Sequence, residues 1–196
     1  VEVTFTGTDE LSGILSVTDP VTKTDQGKDT QVQGTVKDKA GNQASTAHTV
    51  SIDKTAPLIE YTTEPEANDQ GWHNEDPTVT FTAEDTLSGV LSVTPPVTVT
   101  EECENKEIKG TAIDRAGNEA AAQATISLDK TGPTLTWTQD PEANQFGWTN
   151  QPATVIFEAL DTLSGVLSVT DPVTVTEQGK DIEVQGTAQD TAGNST

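Results

Sequence analysis

The sequence predicts an all-β fold made by repeating one small sandwich module, and three observations lead there. Several phrases return at a fixed interval, short runs alternate apolar residues with threonine, and helical periodicity appears nowhere over a useful length.

The interval is the strongest of the three. Asp-x-Leu-Ser-Gly begins at Asp9, Asp85 and Asp161, so that 85 − 9 = 161 − 85 = 76. Asp-x-Ala-Gly-Asn keeps the same spacing at Asp38, Asp114 and Asp190, as does Asp-Lys-Thr-x-Pro at Asp53 and Asp129. Pro-Glu-Ala-Asn recurs at Pro65 and Pro141, and Gly71-Trp72 returns as Gly147-Trp148. With Pro57 and Pro133 opening successive repeats, residues 57–132 form a complete copy. Residues 1–56 are then a copy lacking its N-terminal strand, and 133–196 one lacking its C-terminal strand. The chain therefore reads as an excerpt of a longer array.

Within the complete copy, Thr78-Val79-Thr80-Phe81-Thr82-Ala83 is a strand with Val79, Phe81 and Ala83 on one face and threonines on the other. The matching inner positions are Val3, Phe5 and Gly7, then Val155, Phe157 and Ala159. Further strands are expected near 91–93, 97–99, 107–112 and 123–128, with 134–138 opening the next copy. Turns rich in Gly, Pro and polar residues separate them at sandwich spacing. About seven strands in so short a repeat describe a small immunoglobulin-like sandwich, near the size at which neighbours or ions help to hold one core.

Composition excludes several roles. Ten Lys+Arg against 32 Asp+Glu, net charge −22, repels nucleic acid and anionic membrane alike, and the few cations are scattered among carboxylates. One cysteine, Cys103, rules out an intrachain disulfide framework. Cys103 stands where the other copies have Gly27 and Gly179; a solvent-exposed free thiol and a bridge between chains are the two readings. Ser12, Ser88 and Ser164 lie in a loop phrase without a nucleophile elbow, and neither His48 nor His73 recurs between copies, so no catalytic constellation is expected and the chain is read as a non-enzyme.

Gly71-Trp72-His73-Asn74, Val79 to Ala83, Gly110 to Asn118 and Asp129-Lys130-Thr131-Gly132-Pro133, in fixed order at a fixed period, resemble the bacterial immunoglobulin-like tandem repeats of large surface adhesins and extracellular stalk proteins. The resemblance covers the whole chain. It implies modules arranged end to end in a stiff extracellular stalk or filament, with neighbouring repeats or other copies of the chain as partners.

In some related adhesins the Asp of Asp-x-Ala-Gly-Asn and the Asp before Thr-x-Pro lie near domain junctions and help bind calcium. The resemblance carries this role to Asp38 with Asp53 and to Asp114 with Asp129, and less strongly to Asp9, Asp85 and Asp161. The chemistry is sound, because Ca²⁺ takes six to eight hard oxygen ligands. Turn chemistry accounts for the same residues: Asp and Asn in turns bond their own backbone, and Gly41, Gly117 and Gly193 supply positive φ.

Trp72 and Trp148 are read first as core or interface fillers. The alternative makes them sugar-stacking platforms, and the chain a set of accessory carbohydrate-binding repeats of a secreted hydrolase with surface glycan as partner.

Overall fold

The computed structural model describes residues 1–196 and contains strands and no helix. No helix is therefore long and apolar enough to cross a membrane. The first strands are β1 (Glu2–Val3), β2 (Ile14–Val17), β3 (Val21–Thr22), β4 (Gly27–Asp38) and β5 (Gln43–Ile52). Next come β6 (Leu58–Glu64), β7 (Thr78–Glu84), β8 (Val90–Val93), β9 (Val97–Thr98), β10 (Cys103–Asp114) and β11 (Glu119–Leu128). The last are β12 (Thr134–Asp140), β13 (Ala153–Leu160), β14 (Val166–Val169), β15 (Val173–Val175) and β16 (Ala188–Asp190). They form small sheets of two or three strands, ordered β1-β3, β2-β4-β5, β6-β7-β9, β11-β10-β8, β12-β13-β15 and β14-β16, an arrangement consistent with a β-sandwich.

Strand positions follow the sequence interval. β2, β8 and β14 are each the four residues Ile/Val-Leu-Ser-Val, and β4 and β10 are both twelve residues long. β4 and β10 outrun expectation because much of each is polar and exposed, which satisfies the backbone ladder without leaving an apolar signature. Each carries a left-handed non-glycine residue at the same point, Asp29 and Asn105, both at φ 53°, and Asp181 repeats it at φ 56°. Asp29 sits in the bulge between Gly27 and Thr30, its N–H capped by Ser51 Oγ at 3.0 Å; Ser127 does the same for Asn105.

The chain forms two compact units. The first comprises Val1–Glu60, Thr82–Thr94 and Gly110–Ala122; the second comprises Tyr61–Phe81, Pro95–Lys109 and Gln123–Thr196. In the first, Val3, Val32 and Val50 form a buried cluster against which Phe5, Val21 and Ile52 pack. Gly34 belongs to this cluster for a steric reason: a Cβ there would stand 2.3 Å from the Phe5 ring. In the second, Val79, Phe81, Val99, Ile108, Ala124, Ile126, Leu128 and Phe157 are buried, with Gly186 under Phe157 in the same way.

Threonines on the outer edges also have a structural use. Thr18 with Thr35, Thr94 with Thr111 and Thr170 with Thr187 each make a clasp in which one hydroxyl accepts the other's backbone N–H at 2.7–2.8 Å. Trp72 is half-buried and Trp148 is 48% exposed, so neither is a core filler. Both sit in a turn where Asn68 or Asn144 Oδ1 accepts their backbone N–H. Cys103 is half-buried against the Ile126 carbonyl at 3.7 Å.

Candidate metal centres

Three kinds of loop carry the repeated aspartates, and each is organised by its own carboxylate. In Asp-x-Leu-Ser-Gly, Oδ1 of the Asp accepts the N–H of the residue two on and of the glycine four on; for Asp85 these bonds, from Leu87 and Gly89, are 3.2 and 2.6 Å. Asp9 and Asp161 repeat the pattern. In Asp-x-Ala-Gly-Asn the Asn donates its backbone N–H to Oδ1 and its side-chain amide to Oδ2, at 2.8 and 2.7 Å for Asn118 on Asp114. Gly117 completes that turn at φ 91°, a conformation costly for a side chain.

The Asp-Lys-Thr-x-Pro linker supplies the third carboxylate. Asp53 accepts Thr55 N–H on Oδ1 and Ser88 N–H on Oδ2, and Asn118 donates to the Asp53 carbonyl at 3.3 Å. The result is a group of three carboxylates, Asp53, Asp85 and Asp114, whose nearest oxygens all lie within 4.8 Å of one another. Asp129, Asp161 and Asp190 form the second group in the same way, with Ser164 N–H on Asp129 Oδ2 and Asn194 on the Asp129 carbonyl. Each group falls within a single compact unit. Asp114, Asp129 and Asp190 are buried, and Asp53, Asp85 and Asp161 are half-buried.

The grouping differs from the pairing that the resemblance implied. Asp53 meets Asp85 and Asp114, whereas Asp38 and Asp9 belong to no group. For Asp38 and Asp53 the reason is length. Asp38 opens the hairpin turn at one end of β5 and Asp53 follows the other end, and a ten-residue strand spans about 33 Å. Asp114 and Asp129 likewise fall in different groups. Asp190 was not among the expected ligands, although its phrase is the third copy of the one that contains Asp38 and Asp114.

No protein cation neutralises these groups. The ion pairs of the chain are Lys109–Glu107, Lys130–Asp76 and Lys180–Asp181, none involving the six carboxylates. Lys130, adjacent in sequence to Asp129, turns its ammonium to Asp76 and the Thr100 carbonyl at 2.8 and 2.7 Å, and Lys54 bonds the Thr24 carbonyl. Hydrogen bonds hold two of the carboxyls in the ionised form. The Thr55 backbone N–H, then Ser88, lower the Asp53 pKa despite burial and the Asp114 charge. At Asp114 burial pushes the pKa up, but the Asn118 amide and the N–H groups of Asn118, Ala116 and Gly117 outweigh it and the net shift is downward.

The donor set fits a hard cation. Opposite ligands of Ca²⁺ at 2.3–2.6 Å stand about 4.6–5.2 Å apart, so oxygens within 4.8 Å of one another are close enough to share one coordination sphere. Oδ2 of Asp85 and of Asp161 accepts no protein hydrogen bond, and neither group contains a nitrogen or sulfur ligand that would favour a softer metal.

A clamp on the linker was not anticipated from the sequence. Glu102 Oε1 accepts Lys130 N–H and Thr131 Oγ1–H at 2.9 and 2.7 Å, and Gln26 does the same for Lys54 and Thr55. The Thr131 hydroxyl, then Lys130, hold the Glu102 carboxyl below its ordinary value. Comparison with family models, curated proteins and solved structures gave no match.

Proposed function

We infer that this chain is a structural segment of an extracellular, adhesin-type surface protein. Its immunoglobulin-like sandwich repeats of 76 residues, divided at 56/57 and 132/133, are joined end to end as a stiff stalk or filament, with Ca²⁺ rigidifying the junctions. The observation that carries this reading is the recurrence of one three-carboxylate group, Asp53-Asp85-Asp114 and Asp129-Asp161-Asp190, each built on a linker aspartate. A linker residue that shares a cation with two loops of the following repeat loses its freedom to bend. The Gln26 and Glu102 clamps restrain the same linkers on their preceding side. Neighbouring repeats and other copies of the chain are the partners this implies, and no catalytic role is proposed. Calorimetric titration with calcium tests it. Two Ca²⁺ per chain are expected, and absence of binding at millimolar calcium would remove the junction mechanism.

A second reading has one observation in its favour. Trp72 lines a cleft of about 370 Å³ with Glu66, Asn68, His73 and Asn74, and Trp148 is about half-exposed, so both rings offer a stacking face to a sugar. A glycan array decides it: accessory carbohydrate-binding repeats bind and lose binding in Trp72→Ala and Trp148→Ala, whereas a stalk does not bind.

A further inference from the structure

The cleft beside Trp72 lies wholly within the second compact unit, and none of the six grouped aspartates lines it. One wall is the loop that carries Glu66, Trp72 and Glu75, and the other is the turn that holds Ala192 and Gly193. Hydrogen bonds fix both walls. Asn68 Oδ1 accepts the N–H groups of Gln70 and Trp72, each at 3.0 Å, and the Asn68 amide donates to the Thr191 carbonyl at 2.9 Å. His73 donates its backbone N–H to the Ser127 carbonyl at 2.9 Å and accepts that of Asp129 at 3.0 Å. The turn from Asp190 to Asn194 makes the same bonds as its copy from Asp114 to Asn118, after which β11 runs on.

The cleft offers acceptors and a ring face. Glu66 and Glu75 line it, neither takes part in an ion pair, and no lysine or arginine is among the lining residues. His73 is 4% exposed, yet its Nδ1 has no hydrogen-bond partner, the single buried side-chain polar atom of the chain left so. An unpaired buried nitrogen is costly, and a partner that reaches it recovers that cost. A neutral imidazole has one nitrogen that donates and one that accepts, so Nδ1 can pair with a hydroxyl in either sense. Trp72 is half-buried, which leaves an indole face for the apolar side of a sugar ring or for a cation. A volume of about 370 Å³ is at the low end for small-molecule sites, which suits a short saccharide rather than a protein segment.

We propose that the Trp72 cleft takes a cationic amino sugar, its ring stacked on Trp72, its ammonium drawn by Glu66 and Glu75, and a hydroxyl directed to His73 Nδ1. A neutral sugar would answer Trp72 and His73 but leave both carboxylates without a counter-charge in a chain of net charge −22. A lysine side chain would answer the carboxylates but has no hydroxyl for His73. The proposal rests on the carbohydrate reading above and needs Trp72 alone of the two tryptophans.

The test is calorimetric titration of the whole chain, at physiological salt and slightly acidic pH, with the β-linked trimer of glucosamine and with that of N-acetylglucosamine. The two differ only in ammonium against acetamide. Saturable one-to-one binding of the glucosamine trimer is expected, with the acetylated trimer weaker by about tenfold. Trp72→Ala should abolish binding. Glu66→Gln with Glu75→Gln, both at exposed positions outside every ion pair, should weaken the glucosamine trimer at least about threefold and leave the acetylated trimer unchanged. Equal binding of the two trimers overturns the proposal while the carbohydrate reading stands, and binding of neither overturns both. Glucosamine binding indifferent to the glutamate pair also overturns it. So does equal binding of trilysine, because the attraction is then to an acidic chain at large.

Discussion

Asp85→Asn and Asp161→Asn, made together, separate calcium ligation from turn chemistry. In each loop Oδ1 makes the turn hydrogen bonds and Oδ2 makes none, so asparagine keeps the turn while removing one charge and one ligand oxygen from each group. At calcium one hundred times its Kd, each site stabilises the fold by about 2.7 kcal/mol. A cooperative unit of 150–250 residues shifts by 2–4 °C per kcal/mol and carries both sites, about 5.4 kcal/mol together, so that is a rise of roughly 11–22 °C in Tm over EDTA. If losing one carboxylate of three weakens binding about one-hundredfold, the same calcium concentration gives roughly 0.4 kcal/mol per site and, for the two sites together, a rise of about 2–3 °C. In EDTA the order reverses, because the variant lacks two charges held beside their own kind, and its Tm equals or exceeds that of the parent. The assay is thermal unfolding by circular dichroism for both chains in both buffers. An equal calcium response in parent and variant would refute the reasoning, and so would a parent indifferent to calcium.

Other outcomes are equally specific. Burial holds the His73 pKa below its ordinary 6.5, so the fold favours the neutral ring; its contribution is complete above 6.5 and lost as pH falls through the lower folded value. Replacement by threonine, the residue at the equivalent Thr149, should flatten the fall in urea-measured stability as pH drops below about 6.5. Asp38, through the Asn42 amide, and Asp53 are held below 3.8, so their contribution exists above that value and disappears under further acidification; in EDTA a second loss of stability is expected there. Gly186→Val drives a side chain into the Phe157 ring, 2.4 Å from where its Cβ would stand, and should cost about 1–3 kcal/mol in urea midpoint measurements. Asn194→Ala removes the amide that bonds both the Asp129 carbonyl and Asp190 Oδ2 at 2.9 Å, and should lower stability by about 1–3 kcal/mol with calcium absent.

Much of the architecture was legible because the module repeats without insertion. Val79 and Phe81 were placed on the inner face by alternation alone, and both are buried. The full length of β4 and β10 was not legible, since alternation disappears where both faces meet solvent or polar neighbours. The aspartates stood out as a repeated set, but spacing along the chain does not reveal which loops meet. Asp38 and Asp53 are close in sequence and separated by the whole of β5, whereas Asp53, Asp85 and Asp114 are far apart in sequence and converge because Ser88 N–H and the Asn118 amide bind the Asp53 linker. The Gln26 and Glu102 clamps left no signal because the two positions carry different residues and rely only on a side-chain oxygen.

The central claim is that cations at the linker aspartates make the chain stiff, and small-angle X-ray scattering of the chain in EDTA and in millimolar calcium tests it most directly. The account predicts a greater maximum dimension and a narrower distance distribution with calcium, both reverting in the Asp85→Asn, Asp161→Asn variant. Superimposable curves in the two buffers would contradict it and leave the six aspartates as turn formers.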